Sequence, residues 1–218
     1  RMVLDEDGKP TNQYTDRDGN VSIGDYDLVP ILDKFVEEHP DFAYHGHKAI
    51  LAFTGYEGVL GYRTDESFDP NSPAFDPENP PNLDIEEDRE RVKELTRVLK
   101  EDGYEFASHS WGHINFTDRT LESIRIDTDK WKRNVEPLLP EACETLIYPF
   151  GADIADYHDY THDNGKYNYL ESVGFRYYCN VDSRRIWMQY GDTFYRQARR
   201  NFDGYRLYES FSGAKDRV

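Results

Sequence analysis

The sequence predicts an α/β fold built from repeated strand–helix units around a parallel sheet or barrel. Short apolar runs bounded by glycine, such as "KAILAFTG" (48–55), alternate with amphipathic stretches of helical period. The stretches between runs are long enough for the crossover helices that parallel pairing needs. No internal repeat or linker interrupts the alternation. The expected organisation is a turn-rich segment over residues 1–26 and one domain over 27–218.

The elements follow in order. Asp7-Gly8 and Asp18-Gly19 in the first segment are hairpin-type turn dipeptides. "DRDGNVS" (16–22) lacks the sixth-position Gly and twelfth-position Glu of a calcium loop and reads as an ordinary turn. Leu28, Ile31, Leu32, Phe35 and Val36 form a helical stripe, and "KAILAFTG" follows as a buried strand. Five prolines between Thr64 and Asp84 forbid regular structure there, and so long a loop suits a functional role. The stretch 85–103 is a helix with an acidic first turn and Gly103 as its stop. "YEFAS" (104–108) is a strand, 119–139 a helix, "ETLIYPFG" (144–151) a strand ending in a Pro-aromatic-Gly turn. A helix closed by Gly174 and the strand "FRYYCNV" (175–181) come next. The stretch 192–211 reads as one or two strands about an Asp203-Gly204 turn.

Composition excludes several classes. The 218 residues suffice for a sizeable core, and although 32% are charged, 17 Tyr and 12 Phe supply large buriable surfaces. A net charge of −17 repels phosphate backbones and argues against nucleic acid as a partner. No apolar run approaches the roughly 18 residues of a membrane span. Starting on Arg1 suggests a processed or trimmed chain. Cys143 and Cys179 lie in apolar, strand-like surroundings and read as buried thiols, with a single disulfide as the alternative.

The chemistry concentrates where "YEFAS" delivers the chain to His109-Ser110-Trp111-Gly112-His113. One helical turn or an equivalent tight loop brings residues four apart onto one face, so both imidazoles can reach one ion. Spacing alone leaves another reading open, with one ring capping a helix and the other packing on Trp111. His158 and His162 repeat the spacing in a Tyr-rich loop; His162 is a candidate acid for a leaving amine, and a solvated loop histidine otherwise. Asp182, after a strand end, is a candidate for orienting a histidine, or else a loop cap. His39, His45 and His47 read as surface residues.

"HSWGH" resembles the second motif, His-Ser/Thr-x-x-His, of the polysaccharide deacetylases with the NodB homology fold (carbohydrate esterase family four). "LIYPFG" (146–151) resembles the third, and "EDGYEFASHS" (101–110) and "SVGFRYYCNV" (172–181) resemble the family's helix–strand junctions, so the likeness covers the chain from about Asp27 onward. The resemblance implies a distorted (β/α) barrel and a hydrolase of carbon–nitrogen bonds that removes N-acetyl groups from a sugar polymer, in a secreted or cell-surface protein. It implies a divalent metal, usually zinc, on His109, His113 and an aspartate, with a second aspartate as base. Tyr148, Pro149 and Phe150 would line the substrate and oxyanion position, the Phe150 N–H holding the oxyanion.

The chain departs from this pattern. The family's Asp-Asp motif precedes the first helix and has no counterpart here, so the first strand, with the base and third ligand, is expected upstream of Arg1. The family's Arg two residues before the third-motif Pro is Ile147, with Arg199 or Arg200 as substitutes, and no Leu-x-His follows Gly174. These departures keep two alternatives open: a catalytically impaired carbohydrate-binding domain, and an amidase of the same fold acting on a small non-sugar substrate.

Overall fold

The computed structural model describes residues 1–156, 158–181, 186–200 and 203–211, which form two compact units. The first comprises Arg1–Ala107 and Lys130–Ala142, the second Ser108–Asp129 and the chain from Cys143. Both are mixed α/β.

The first unit opens with an antiparallel meander of β1 (Met2–Leu4), β2 (Pro10–Thr15) and β3 (Val21–Gly24). The two Asp-Gly turns fall where the sequence puts them, with Gly8 at φ 77° and Gly19 at φ 85°. The Asp16 carboxylate accepts from the Asp18 and Asn20 N–H groups, so the calcium-like stretch is a self-capped turn. The strands between the turns escape a sequence reading because they are short and mostly polar.

Helix α1 (Leu28–Glu38) starts at Asp27, whose carboxylate accepts from the Leu28 N–H. It buries Val29 and Pro30, whereas Leu28, Ile31 and Phe35 of the expected stripe are exposed. β4 (Ala49–Phe53) neighbours β5 (Tyr104–Ser108). The proline-rich stretch between them has one 3₁₀ turn, Glu66–Phe68, started by Asp65 accepting from the Ser67 N–H. Helix α2 (Ile85–Glu101) buries Ile85, Val92, Leu95, Thr96 and Leu99, an i, i+3, i+4 face. Tyr104 is fully buried, and its hydroxyl donates to Asp33, which also receives Lys48; Lys48 reaches Asp102 as well. Helix α3 (Leu121–Asn134) runs from the second unit into the first, where Trp131 is fully buried and donates to the Phe53 carbonyl at 2.8 Å.

The second unit holds the parallel strands. Ser108 at the end of β5 opposes Leu146 of β6 (Thr145–Ile147). β6 pairs with β7 (Tyr177–Val181) and β7 with β9 (Tyr195–Arg199), all in parallel. β8 (Met188–Tyr190) lies antiparallel on β9. Helix α4 (Gly165–Ser172) starts at Asn164, which accepts from the Lys166 and Tyr167 N–H groups. The chain ascends β6, and Gly174 at φ 101° turns it toward β7. Cys143 and Cys179 are buried free thiols. One expectation is corrected: Asp203-Gly204 is not a hairpin turn but the start of helix α5 (Gly204–Phe211), closed by Leu207 N–H donating to the Asp203 carbonyl. Leu207 and Phe211 stand i, i+4, a helical spacing that the turn dipeptide before them masks in the sequence.

Aromatic packing dominates this unit, with Phe116, Tyr148, Tyr167, Phe175 and Tyr178 all buried. Among them sits a charged pair, Arg196 and Asp153, 1% and 4% exposed, with Nη1 3.2 Å from Oδ1. Asp153 also accepts from Tyr160 and Asn180, and the Arg196 guanidinium lies over the rings of Tyr160 and Trp187, 4.5 and 4.7 Å from their centroids. Removing one member of such a pair strands the other charge. Arg196→Met should therefore cost about 3–5 kcal/mol of unfolding free energy. The double variant Arg196→Met, Asp153→Asn should recover much of that loss in denaturant titrations.

Candidate active site

β5 ends at Ser108, 2% exposed, and the next five residues leave the sheet as a loop rather than a helical turn. Ser110 at φ 61° and His113 at φ 53° are left-handed. Such residues cost of order 1–3 kcal/mol each and persist where neighbours over-determine them. Here Asp127 of α3, 6% exposed, receives the Trp111 N–H on Oδ1 at 2.9 Å and the Gly112 N–H on Oδ2 at 2.7 Å. Ser110 adds a bond from the Ile114 N–H to its hydroxyl. The loop is thus wrapped on a buried carboxylate.

This holds the histidines together. Their ring centroids lie 4.9 Å apart at an interplanar angle of 67°. His109 Nδ1 sits 2.6 Å from the Ile147 carbonyl. A carbonyl only accepts, so Nδ1 carries the proton and the Nε2 lone pair is left for a ligand. Burial pulls the His109 pKa down, the Ile147 carbonyl opposes this, and His113 and Arg199 add to the lowering. Two imidazoles so arranged are donors of the type a zinc-like ion takes, and the backbone acceptor behind the His109 Nδ1 is the usual outer partner of such a ligand. Among the described residues no group of three His, Cys, Asp or Glu is placed to hold a metal.

The turn after β6 is the second wall. Pro149–Gly151 makes a 3₁₀ turn closed by Gly151 N–H on the Tyr148 carbonyl at 3.1 Å. Phe150 sits at φ 59°, is 69% exposed, and its ring centroid lies 4.5 Å from that of His113. Gly151 is at φ 67°, and a Cβ there would lie 2.5 Å from Val181 Cβ, so only glycine fits. Pro149 is buried. The Tyr148 ring lies in the core, fully buried, its hydroxyl bonded to that of Tyr160, so its side chain packs rather than facing a substrate.

Of the remaining sequence candidates, His162 is exposed and bonded through Nδ1 to Asn168, with Glu171 3.7 Å away; its contacts include neither His109 nor His113. His158 is exposed and offers its carbonyl to Arg196. Asp182 lies outside the described residues. Arg199, at the end of β9, donates from Nη2 to the Tyr148 carbonyl at 3.2 Å. Arg200 is exposed. Sequence reasoning passed over Asp127. Its signal was an acidic residue on the helix face that carries the fully buried Ile124 and Trp131, three before and four after it.

Residues 77–177 match the family model described as polysaccharide deacetylase, a span that contains both histidines and the Pro-Phe-Gly turn. None of the curated proteins matches the chain. Solved structures resemble parts of it, among them the following two. A Mycobacterium smegmatis protein assigned as a polysaccharide deacetylase is 15% identical, with 54% of this chain aligned and a TM-score of 0.35. The Streptococcus pyogenes deacetylase PplD, solved with acetate, is 11% identical, with 57% aligned and the same TM-score. The aligned regions span 37% and 50% of those two chains.

Two outcomes follow from the loop geometry. Asp127→Asn places an amide NH₂ against one of two backbone donors and should cost about 1–3 kcal/mol, read by thermal or chemical unfolding. In the metal-free protein the His109 ring should titrate below its ordinary value of 6.5, as followed by imidazole NMR. The neutral ring's contribution to stability should be complete above that ordinary value and be lost as pH falls through the lowered folded-state value.

Proposed function

We propose, from the premise that residues 77–177 form a polysaccharide deacetylase domain of the NodB type, that the chain serves metal-dependent hydrolysis of N-acetyl groups on a sugar polymer. On this reading the parallel strands belong to a distorted (β/α) barrel. The observation that carries the proposal is the pairing of His109 with His113 at the end of β5. Behind them the Ile147 carbonyl fixes the His109 tautomer, and Phe150 stands against His113. Hydrolysis of an amide needs an electrophile on the carbonyl oxygen, a positioned water and a donor for the developing oxyanion.

His109 and His113 would hold the ion, zinc by the nature of two imidazole donors. Zinc, when bound, supplies Lewis acidity and lowers the pKa of water toward about 7. Residues of this chain would supply three further roles. The Ile147 carbonyl keeps the His109 proton on Nδ1, away from the ligand position. Pro149 has no N–H, so the next amide, that of Phe150, is the donor proposed for the acetyl oxygen. The exposed Phe150 ring offers an apolar face for a sugar. His162, engaged with Asn168 and Glu171, is not retained as the acid.

No helix of the described residues is long and apolar enough to cross a membrane. A secreted or cell-surface setting, where acetylated polymers lie, is part of this proposal.

The test is acetate release from acetylated chito-oligosaccharides by the full-length protein with zinc. His109→Ala and His113→Ala should each reduce the rate by about 100-fold or more and weaken zinc uptake measured by equilibrium dialysis. Unchanged uptake in the double variant would remove the metal site. Zinc uptake without acetate release would favour a carbohydrate-binding role.

A further inference from the structure

We propose that Arg199 is the positioning residue of the Phe150 turn, a role that rests on the deacetylase reading above. β9 lies parallel to β7 with Arg199 opposite Val181, so its end reaches the turn that closes β6. There Arg199 Nη2 donates to the Tyr148 carbonyl, the same oxygen that accepts the Gly151 N–H and closes the turn. The Tyr148 N–H meanwhile donates to the Cys179 carbonyl at 2.9 Å. Both backbone groups of the residue entering the turn are therefore held.

Pro149 has a fixed φ, so the freedom that remains lies at Phe150, held at φ 59°. That conformation is costly for a residue with a Cβ and lasts only under constraint from both sides. Val181 constrains the exit by its contact with Gly151, and Arg199 constrains the entry. The aim of the Phe150 N–H follows from the two together.

The second observation concerns charge. Arg199 makes no ion pair among the described residues, and its Nε is buried without a hydrogen-bond partner. A half-buried cation so placed bears a desolvation cost that an apolar residue of similar size would avoid. Its uncompensated charge raises the potential beside the turn, where negative charge grows on the acetyl oxygen during hydrolysis.

The test compares zinc-loaded full-length protein with Arg199→Gln and Arg199→Lys. Gln should lower kcat by roughly 10- to 100-fold with KM within about threefold of the parent. Zinc uptake should be unchanged. Lys keeps the charge but not the planar fork and should recover part of kcat. In ¹⁵N-labelled protein the Phe150 and Gly151 amide signals should move in the Gln variant. A loss carried by KM, a loss of zinc uptake matching the loss of rate, or unmoved Phe150 and Gly151 signals would overturn the assignment. If the parent releases no acetate from any acetylated sugar, the deacetylase reading fails instead. The amide signals then decide the turn-positioning role alone, unmoved signals overturning it.

Discussion

The Asp153 carboxylate sits two residues past the Pro149–Gly151 turn, buried, and gathers the second unit around itself. Arg196 of β9 pairs with it, Asn180 of β7 and Tyr160 of the following loop donate to it, and Tyr160 passes the connection on to the Tyr148 hydroxyl. Burial pushes its carboxyl group up, and the Arg196 charge opposes this. A charge held this way has few acceptable positions, since any displacement leaves a buried donor or acceptor unpaired. The chain leaving the turn therefore has a fixed anchor, and β7 and β9 share it.

The candidate site is made of backbone in uncommon conformations. Ser110, His113 and Phe150 are all left-handed without being glycine. Each is bounded by a group from elsewhere in the chain: the buried Asp127 beneath the histidine loop, and the half-buried Arg199 and Val181 around the turn. Strain at these positions is offset by bonds made outside the loops. This gives rigid side-chain placement on segments that have no helix or strand of their own.

Charge is handled differently in the first unit. There Lys48 lies between Asp33 and Asp102 with Tyr104 donating to Asp33, so each formal charge has an opposite partner. Arg199 in the second unit has none among the described residues. A satisfied ionic cluster in one place contrasts with a cation that has no opposite charge among the described residues in the other.

By itself the sequence determined the features that depend on near neighbours. An acidic first turn and the Gly103 stop marked α2, the stretch 119–139 held α3, and short apolar or β-rich runs marked β4, β5, β6 and β7. The two histidines at a strand end and the Pro-Phe-Gly turn were legible because their residues are contiguous. Asp203-Gly204 misled because a local turn signal and a helix start share the same dipeptide. Only the tertiary structure decided that Ile147 fixes the His109 tautomer, that Asp127 carries the histidine loop, and that Asp153 meets Arg196. It alone withdrew Tyr148 into the core and His162 to the surface. The partners in the three contacts stand 15 to 43 residues apart, and no period or turn preference reaches that far. Which buried polar groups meet is settled by the packing of whole elements, since each must find a partner once water is excluded.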